Sequence, residues 1–289
     1  MSDDGAYALT LIAFVGSVFS PYYANSRRRG DANPYNHCAL NVALYGKNSN
    51  RWSMTERGRQ QLRRAASVLS IGNSEMRWTG SFLETNIDEI CAPLPHRLRG
   101  KIRLLPSTLS ELVVPLDGAA RHHWVPYAPC SRVEVELSHP ALSWCGNAYF
   151  DANFGVEPLE AAFASWQWSR SSGPENSTVF YEINGRDGVK RALALRFEPH
   201  GEAVEIEPPP PAQLPKSGWG ISRRTRADLG SDIRVLRTLE NAPFYSRTLL
   251  ETTLFGVRTL AIHESVELNR FSSRWVQYLL PFRMPRFTL

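Results

Sequence analysis

Six consecutive residues, Arg132-Val133-Glu134-Val135-Glu136-Leu137, alternate charged and apolar without a fault. Successive side chains of an extended strand point to opposite faces, so this order makes one greasy face and one charged face. The same period recurs along the chain. Leu98, Gly100, Ile102 and Leu104 oppose Arg97, Arg99, Lys101 and Arg103. Arg191, Leu193, Leu195 and Phe197 oppose Lys190, Ala192, Ala194 and Arg196, and Val204 and Ile206 face away from Glu205 and Glu207. Tyr7 to Val18, Cys38 to Leu44, Ser165 to Trp168, Val179 to Ile183 and Leu254 to Leu268 also read as strands. Asn184-Gly185-Arg186-Asp187-Gly188 sits between two of them with hairpin-turn chemistry. Only Glu56 to Leu69 has the spacing for a helix of moderate length, and Gly58 weakens it. Many short strands separated by turns predict an all-β sandwich or barrel rather than a parallel α/β sheet.

The composition narrows the class. A formal charge of +5 over 289 residues is too weak to imply nucleic acid, and it suits either plain solubility or an anionic membrane surface. Cys38, Cys91, Cys130 and Cys145 are scattered without ligand spacing, so neither a disulfide framework nor a metal site is expected. The most apolar run, Leu9 to Val18, is too short to span a bilayer and is interrupted by Gly16 and Ser17. Asp3 and Asp4 before it are wrong for a secretory signal, so a cytoplasmic protein with peripheral membrane contact is expected. No dinucleotide, nucleoside-triphosphate, nucleophile-elbow or zinc-protease motif occurs, and a cofactor is not expected. The prolines Pro208 to Pro211 and Pro215 read either as a domain linker or as a surface connection within one domain.

Two segments carry chemistry. In Ala148-Tyr149-Phe150-Asp151-Ala152-Asn153-Phe154-Gly155, a carboxylate and a phenol two residues apart share a strand face. In Arg121-His122-His123-Trp124, His122 and Trp124 do the same. An acid, an imidazole and electron-rich rings facing a greasy interior suit proton transfer to a substrate without a polar handle. Each residue has a plainer explanation: Asp151 as a turn aspartate with Asn153 and Gly155, His122 or His123 as a satisfied or exposed histidine, Trp124 as core. The cationic face Arg97 to Arg103 and the basic loop Arg27 to Arg29 are either solvated surface or contacts for a phosphate or membrane. Trp166 and Trp168 share a face and are candidates to line a ligand cavity.

Several longer motifs point further. Phe14 to Tyr23, Asn41 to Gly46, Met54 to Gly58, Tyr149 to Gly155 and Pro243 to Arg247 resemble the bacterial carotenoid 1,2-hydratases, or hydroxyneurosporene synthases, over almost the whole chain. The resemblance implies cofactor-free hydration of the terminal 1,2 double bond of acyclic carotenoids such as neurosporene and lycopene. It implies two lipocalin-like β domains, 1–160 carrying the acid site and 161–289, with Pro208 to Pro211 inside the second. It also implies a catalytic group of His122, Trp124, Tyr149 and Asp151. The chain has Ala148 where many members have glycine and Asn241 where many have aspartate. It also lacks an aromatic-rich strand that many carry before Ser2 to Gly5, implying a late start or a first barrel short of one strand.

On that footing Asp151 is the expected general acid, kept neutral by burial among Phe150, Phe154 and Tyr149. Trp124 and Tyr149 are expected to stabilise the tertiary cation, with His122 holding the attacking water and taking its proton. Tyr149 has a second reading, as the partner that keeps Asp151 protonated. A C40 polyene is on the order of 30 Å long, the thickness of a bilayer core. One end is therefore expected to enter the protein while the rest stays in the photosynthetic inner membrane. The competing classes are a lipocalin-like carrier of an apolar isoprenoid and another cofactor-free hydratase or cyclase on the same scaffold. Oligomeric state and preferred carotenoid are left open.

Overall fold

Alternating sequence becomes antiparallel sheet throughout the computed structural model, which describes residues 1–47, 49–172, 176–199 and 202–286. In chain order the strands begin with β1 (Ala8–Val15), β2 (Cys38–Tyr45), β3 (Arg51–Arg57), β4 (Leu62–Ala65), β5 (Val68–Ile71), β6 (Ser74–Trp78), β7 (Leu83–Ile90) and β8 (Arg97–Pro106). Next come β9 (Val114–Pro115), β10 (His122–His139), β11 (Ala141–Gly155), β12 (Phe163–Ser172), β13 (Ser177–Gly185), β14 (Lys190–Phe197) and β15 (Ala203–Glu205). The last are β16 (Pro211–Leu214), β17 (Arg223–Arg226), β18 (Arg234–Asn241), β19 (Tyr245–Leu254) and β20 (Val257–Glu267). Among the described residues helix is confined to short pieces: α1 (Pro21–Arg28), α2 (Leu159–Ala162), α3 (Leu268–Phe271) and α4 (Arg274–Leu279), besides single 3-10 turns. The all-β class expected from alternation is the one observed. No helix among the described residues is long and apolar enough to cross a membrane.

The chain packs as two units. The first comprises Met1–Pro106, Ser131–Ala148 and the terminal stretch from Gln277, and the second comprises Ser107–Cys130 and Tyr149–Val276. The expected division at 160/161 follows the chain, whereas these units follow packing. The difference arises because β10 and β11 are long and each contributes one part to each unit. All four candidate site residues fall in the second unit.

In the first unit β2 is buried along its whole length, between β1 and β3. Leu40, Val42 and Leu44 join Ile87, Leu98, Ile102, Val133, Val135 and Leu137 in one core. The alternating Arg132 to Leu137 run thus places its apolar side as read. The cationic face of β8 is a neutralised surface: Arg97 pairs with Asp88, Lys101 with Glu84, and Arg103 with Glu84 and Glu134. Exposed pairs of this kind add about 0–1 kcal/mol each, so they set register more than stability. The expected helix over Glu56 to Leu69 is absent. β3 runs to Arg57, a 3-10 turn covers Arg59–Gln61, and β4 and β5 follow. Gly58 breaks the span and neighbouring strands capture both halves, so tertiary pairing overrides weak helical spacing. The triple arginine is likewise the last turn of α1, with Arg27 stacked over Tyr23, rather than a free loop.

The second unit is built on a seven-stranded sheet in the order β15-β14-β13-β12-β20-β19-β18, beside the β16-β17 hairpin. The Asn184–Gly188 turn joins β13 to β14 as its chemistry predicts. The run Pro208 to Pro211 lies inside this unit and leads into β16.

Candidate active site

Strand β12 sorts its side chains into Ser165, Gln167, Ser169 and Ser171 on one face and Trp166, Trp168 and Arg170 on the other. Register carries both rows across the sheet, since directly opposed antiparallel residues share a face. Trp168 lies opposite Tyr181 on β13 and Glu264 on β20, and Glu264 lies opposite Arg247 on β19. The serine face holds buried His263, whose ring nitrogens are 2.7 Å from Ser169 Oγ and 3.0 Å from Ser265 Oγ. Burial lowers that histidine to about 3, so it stays neutral and serves as a polar core. The aromatic face is the one that meets the candidate acid.

Strands β10 and β11 bring the acid to it. Trp124, fully buried, donates from Nε1 to Asp151 Oδ2 at 2.8 Å, and Tyr149 donates from its hydroxyl to the same oxygen at 3.1 Å. Tyr149 packs on Trp168 with ring centres 5.6 Å apart, and Arg170 sits over its ring at 4.9 Å. Trp124 meets Tyr181 and Phe197 edge-on at 5.9 and 6.3 Å. Trp166 meets Phe163 and Tyr181 in the same edge-on manner. Both donors address Oδ2, and Oδ1 has no hydrogen bond among the described residues. A neutral Asp151 therefore carries its proton on Oδ1, because Oδ2 is the accepting oxygen.

Asp151 is half-buried: part of its surface stays reachable while dense protein surrounds the carboxyl. Burial pushes its pKa up from 3.8 to about 6, against the hydrogen bonds from Trp124 and Tyr149, which favour the charged form. The negative charge of Glu264 pushes in the same direction as burial, and the Arg170 cation opposes it. That rise corresponds to about 3 kcal/mol against the carboxylate. Burial and the adjacent carboxylate hold the Tyr149 phenol well above its ordinary value, so it acts as a neutral donor. Burial lowers Arg170 only to about 10, so it remains a cation. Glu264 is fixed by a 2.7 Å ion pair with Arg247.

Three of the four sequence-selected residues, Trp124, Tyr149 and Asp151, thus form one hydrogen-bonded group. His122 is buried on the same strand, two residues from Trp124, but its ring packs on Phe163 at 4.9 Å. Its Nε2 is 3.7 Å from Glu157 Oε1, too far for a hydrogen bond. Burial lowers its pKa, countered by the charges of Asp117 and Glu157, leaving a neutral imidazole at pH 7. Gly155 makes this position possible: a Cβ there would lie 2.3 Å from His122 Nδ1.

Of the surroundings expected for Asp151, Tyr149 is in place and the two phenylalanines are not. Phe150 stacks on Tyr127, and exposed Phe154 stacks on His123. Residues 150, 152 and 154 point away from the face shared by 149 and 151, as the strand period requires. The rings bonded to the carboxyl are Trp124 and Tyr149, backed by Tyr181 and Trp168 from distant strands. Arg170, Glu264 and Arg247 were also missed. Arg170 was within reach of the period that joined Trp166 to Trp168, whereas Glu264 and Arg247 arrive only through long-range register.

Comparison with known proteins gives the chain a family. The family profile described as carotenoid hydratase CrtC matches residues 11–288. The chain belongs to the CrtC carotenoid hydratase family. It is 53% identical over 287 residues to the acyclic carotenoid 1,2-hydratase of Thiocapsa roseopersicina, covering 99% of this chain and 71% of that one. It is 42% identical over 277 residues to the enzyme of the same name from Cereibacter sphaeroides, covering 96% and 98%. Among solved structures, an AttH protein from Nitrosomonas europaea superposes with a TM-score of 0.60 at 14% identity, over 80% of each chain. That likeness concerns the fold alone. The CrtC family supplies the class of chemistry.

Proposed function

We propose that this chain hydrates the terminal 1,2 double bond of acyclic carotenoids such as neurosporene and lycopene, using its own side chains as the only catalysts. The observation that carries the reading is a carboxyl held near pH 6 with both donors on one oxygen and the other oxygen left for the proton. A trisubstituted alkene is a weak base and water a weak nucleophile, so protonation must come first. The Oδ1 proton of Asp151 passes to C2, the π electrons form the new C–H bond, and the positive charge rests on tertiary C1. Water then bonds to C1 and sheds a proton, giving the tertiary alcohol. Neutral His122 takes that proton, and its return through solvent to the Asp151 carboxylate resets the acid.

The cation needs stabilisation without a nucleophile that would trap it. Ring faces in a desolvated site give about 2 kcal/mol or more each, and Trp124, Trp168, Tyr149 and Tyr181 are the rings at hand. The carboxylates of Asp151 and Glu264 favour the same cation at longer range. His122 is the candidate for orienting the water, and its neutral form suits proton acceptance. The rest of the polyene stays in the lipid phase, with the protein held peripherally at the membrane.

Purified protein incubated with detergent-dispersed lycopene in heavy water tests the proposal. The product should gain one water, with deuterium carbon-bound at C2 and oxygen at C1. Recovery of unaltered lycopene bound to the protein would establish a carrier instead.

A further inference from the structure

The last 22 residues, from Leu268 to Leu289, contain no acidic side chain and four arginines: Arg270, Arg274, Arg283 and Arg286. Within this stretch α4 and the 3-10 turn Leu280–Phe282 form a short helical rod. Its inner positions, Val276 and Leu280, are buried. Its outer positions are Trp275, Tyr278, Leu279 and Phe282, spaced three and four apart along one face. All four are exposed, Tyr278 by 77% and Phe282 by 73%. A surface helix normally turns charge to water on such a face. Here the rod is apolar on both sides, and its outer side is mostly aromatic.

We infer that this outer stripe is the membrane-docking surface, inserting Trp275, Tyr278, Leu279 and Phe282 among the headgroups of an anionic bilayer. Trp and Tyr suit that depth because each pairs an apolar ring with a polar atom that remains hydrated. Arg286 is ion-paired with Glu56, Arg270 donates to backbone carbonyls and Arg283 stacks on Trp52. That leaves exposed Arg274, next to Trp275, to complement anionic lipid, and a short helix lying in the interface needs only its apolar face buried. The inference rests on the reading that the substrate is dissolved in lipid, and it places lipid contact on α4 rather than on Arg27 to Arg29.

The test uses vesicles of mixed phosphatidylglycerol and phosphatidylcholine with the full chain and its Tyr278→Gln/Phe282→Gln double variant. Circular dichroism checks that the variant is folded, and detergent-dispersed lycopene provides a lipid-independent measure of catalysis. Partitioning onto vesicles should weaken on the order of tenfold or more in the variant, while hydration in detergent is unchanged. Equal vesicle binding by both proteins would overturn the docking surface. Wild-type protein that ignores vesicles yet hydrates lycopene in detergent would overturn it too, leaving the catalytic reading intact. Vesicle binding that depends on Tyr278 and Phe282 in a protein that never hydrates lycopene would support the surface and sink the proposed reaction. Self-association of the wild type through the stripe, relieved in the variant, would assign the face to a second copy instead.

Discussion

At the residue scale the decisive quantity is the protonation state of Asp151. With a pKa of about 6 the carboxyl is neutral in about one molecule in ten at pH 7, and in most molecules at pH 5. With the neutral form as the proposed proton donor, turnover should fall about tenfold for each pH unit above about 6, a limb read from the pH profile of kcat. Two substitutions should move that limb in opposite directions. The Trp124 hydrogen bond favours the charged form, so Trp124→Phe should raise the pKa and shift the limb to higher pH. Glu264 disfavours the charged form, so Glu264→Gln should shift the limb to lower pH. Movement of both limbs in one direction would contradict this division of roles.

At the element scale the site depends on how β10 and β11 share residues with the sheet built on β12. Trp124, Tyr149 and Asp151 were legible in the sequence because each pair is two apart on its own strand. Phe150 and Phe154 misled for the same reason, since residues adjacent in sequence face opposite ways. Glu264 and Arg247 were not legible, because only the β12-β20-β19 register sets them in the row of Trp168. The helix expected over Glu56 to Leu69 failed because strand pairing captured residues whose own helical preference was weak. Gly155 provides an element-level test. Gly155→Ala would force a methyl group into the His122 ring, at a cost of about 1–3 kcal/mol in thermal or denaturant unfolding. If turnover survives with the imidazole displaced, as seen by NMR of the ring protons, His122 does not hold the water. A fall in kcat beyond the loss in stability would support that role.

At the scale of the whole molecule the raised pKa of Asp151 links stability to pH. Asp151 binds its proton more tightly folded than unfolded, so its contribution is fully present below 3.8 and is lost as pH rises through about 6. The full effect is about 3 kcal/mol, equal to the penalty on the charged form. Asp151→Asn cannot ionise, so its unfolding free energy should lack this decline, and the variant should gain on the wild type across that pH window. Urea unfolding of both proteins at pH 4 and pH 7 measures it; parallel changes in the two would mean that the carboxyl is not held against its charge. The overall class was legible from alternation, because a greasy strand face must find a partner. The packing of two units was not, because β10 and β11 are long enough to serve both, and no local pattern marks where a strand passes from one to the other.

The same variant tests the central claim most directly when turnover is read instead of stability. Asparagine retains the size of Asp151 and an oxygen to accept from Trp124 and Tyr149, and it removes only the transferable proton. The rate of water addition to detergent-dispersed lycopene by folded Asp151→Asn protein should fall about 10²–10⁴-fold below wild type. Hydration at the wild-type rate would show that the proton reaches the polyene from another group.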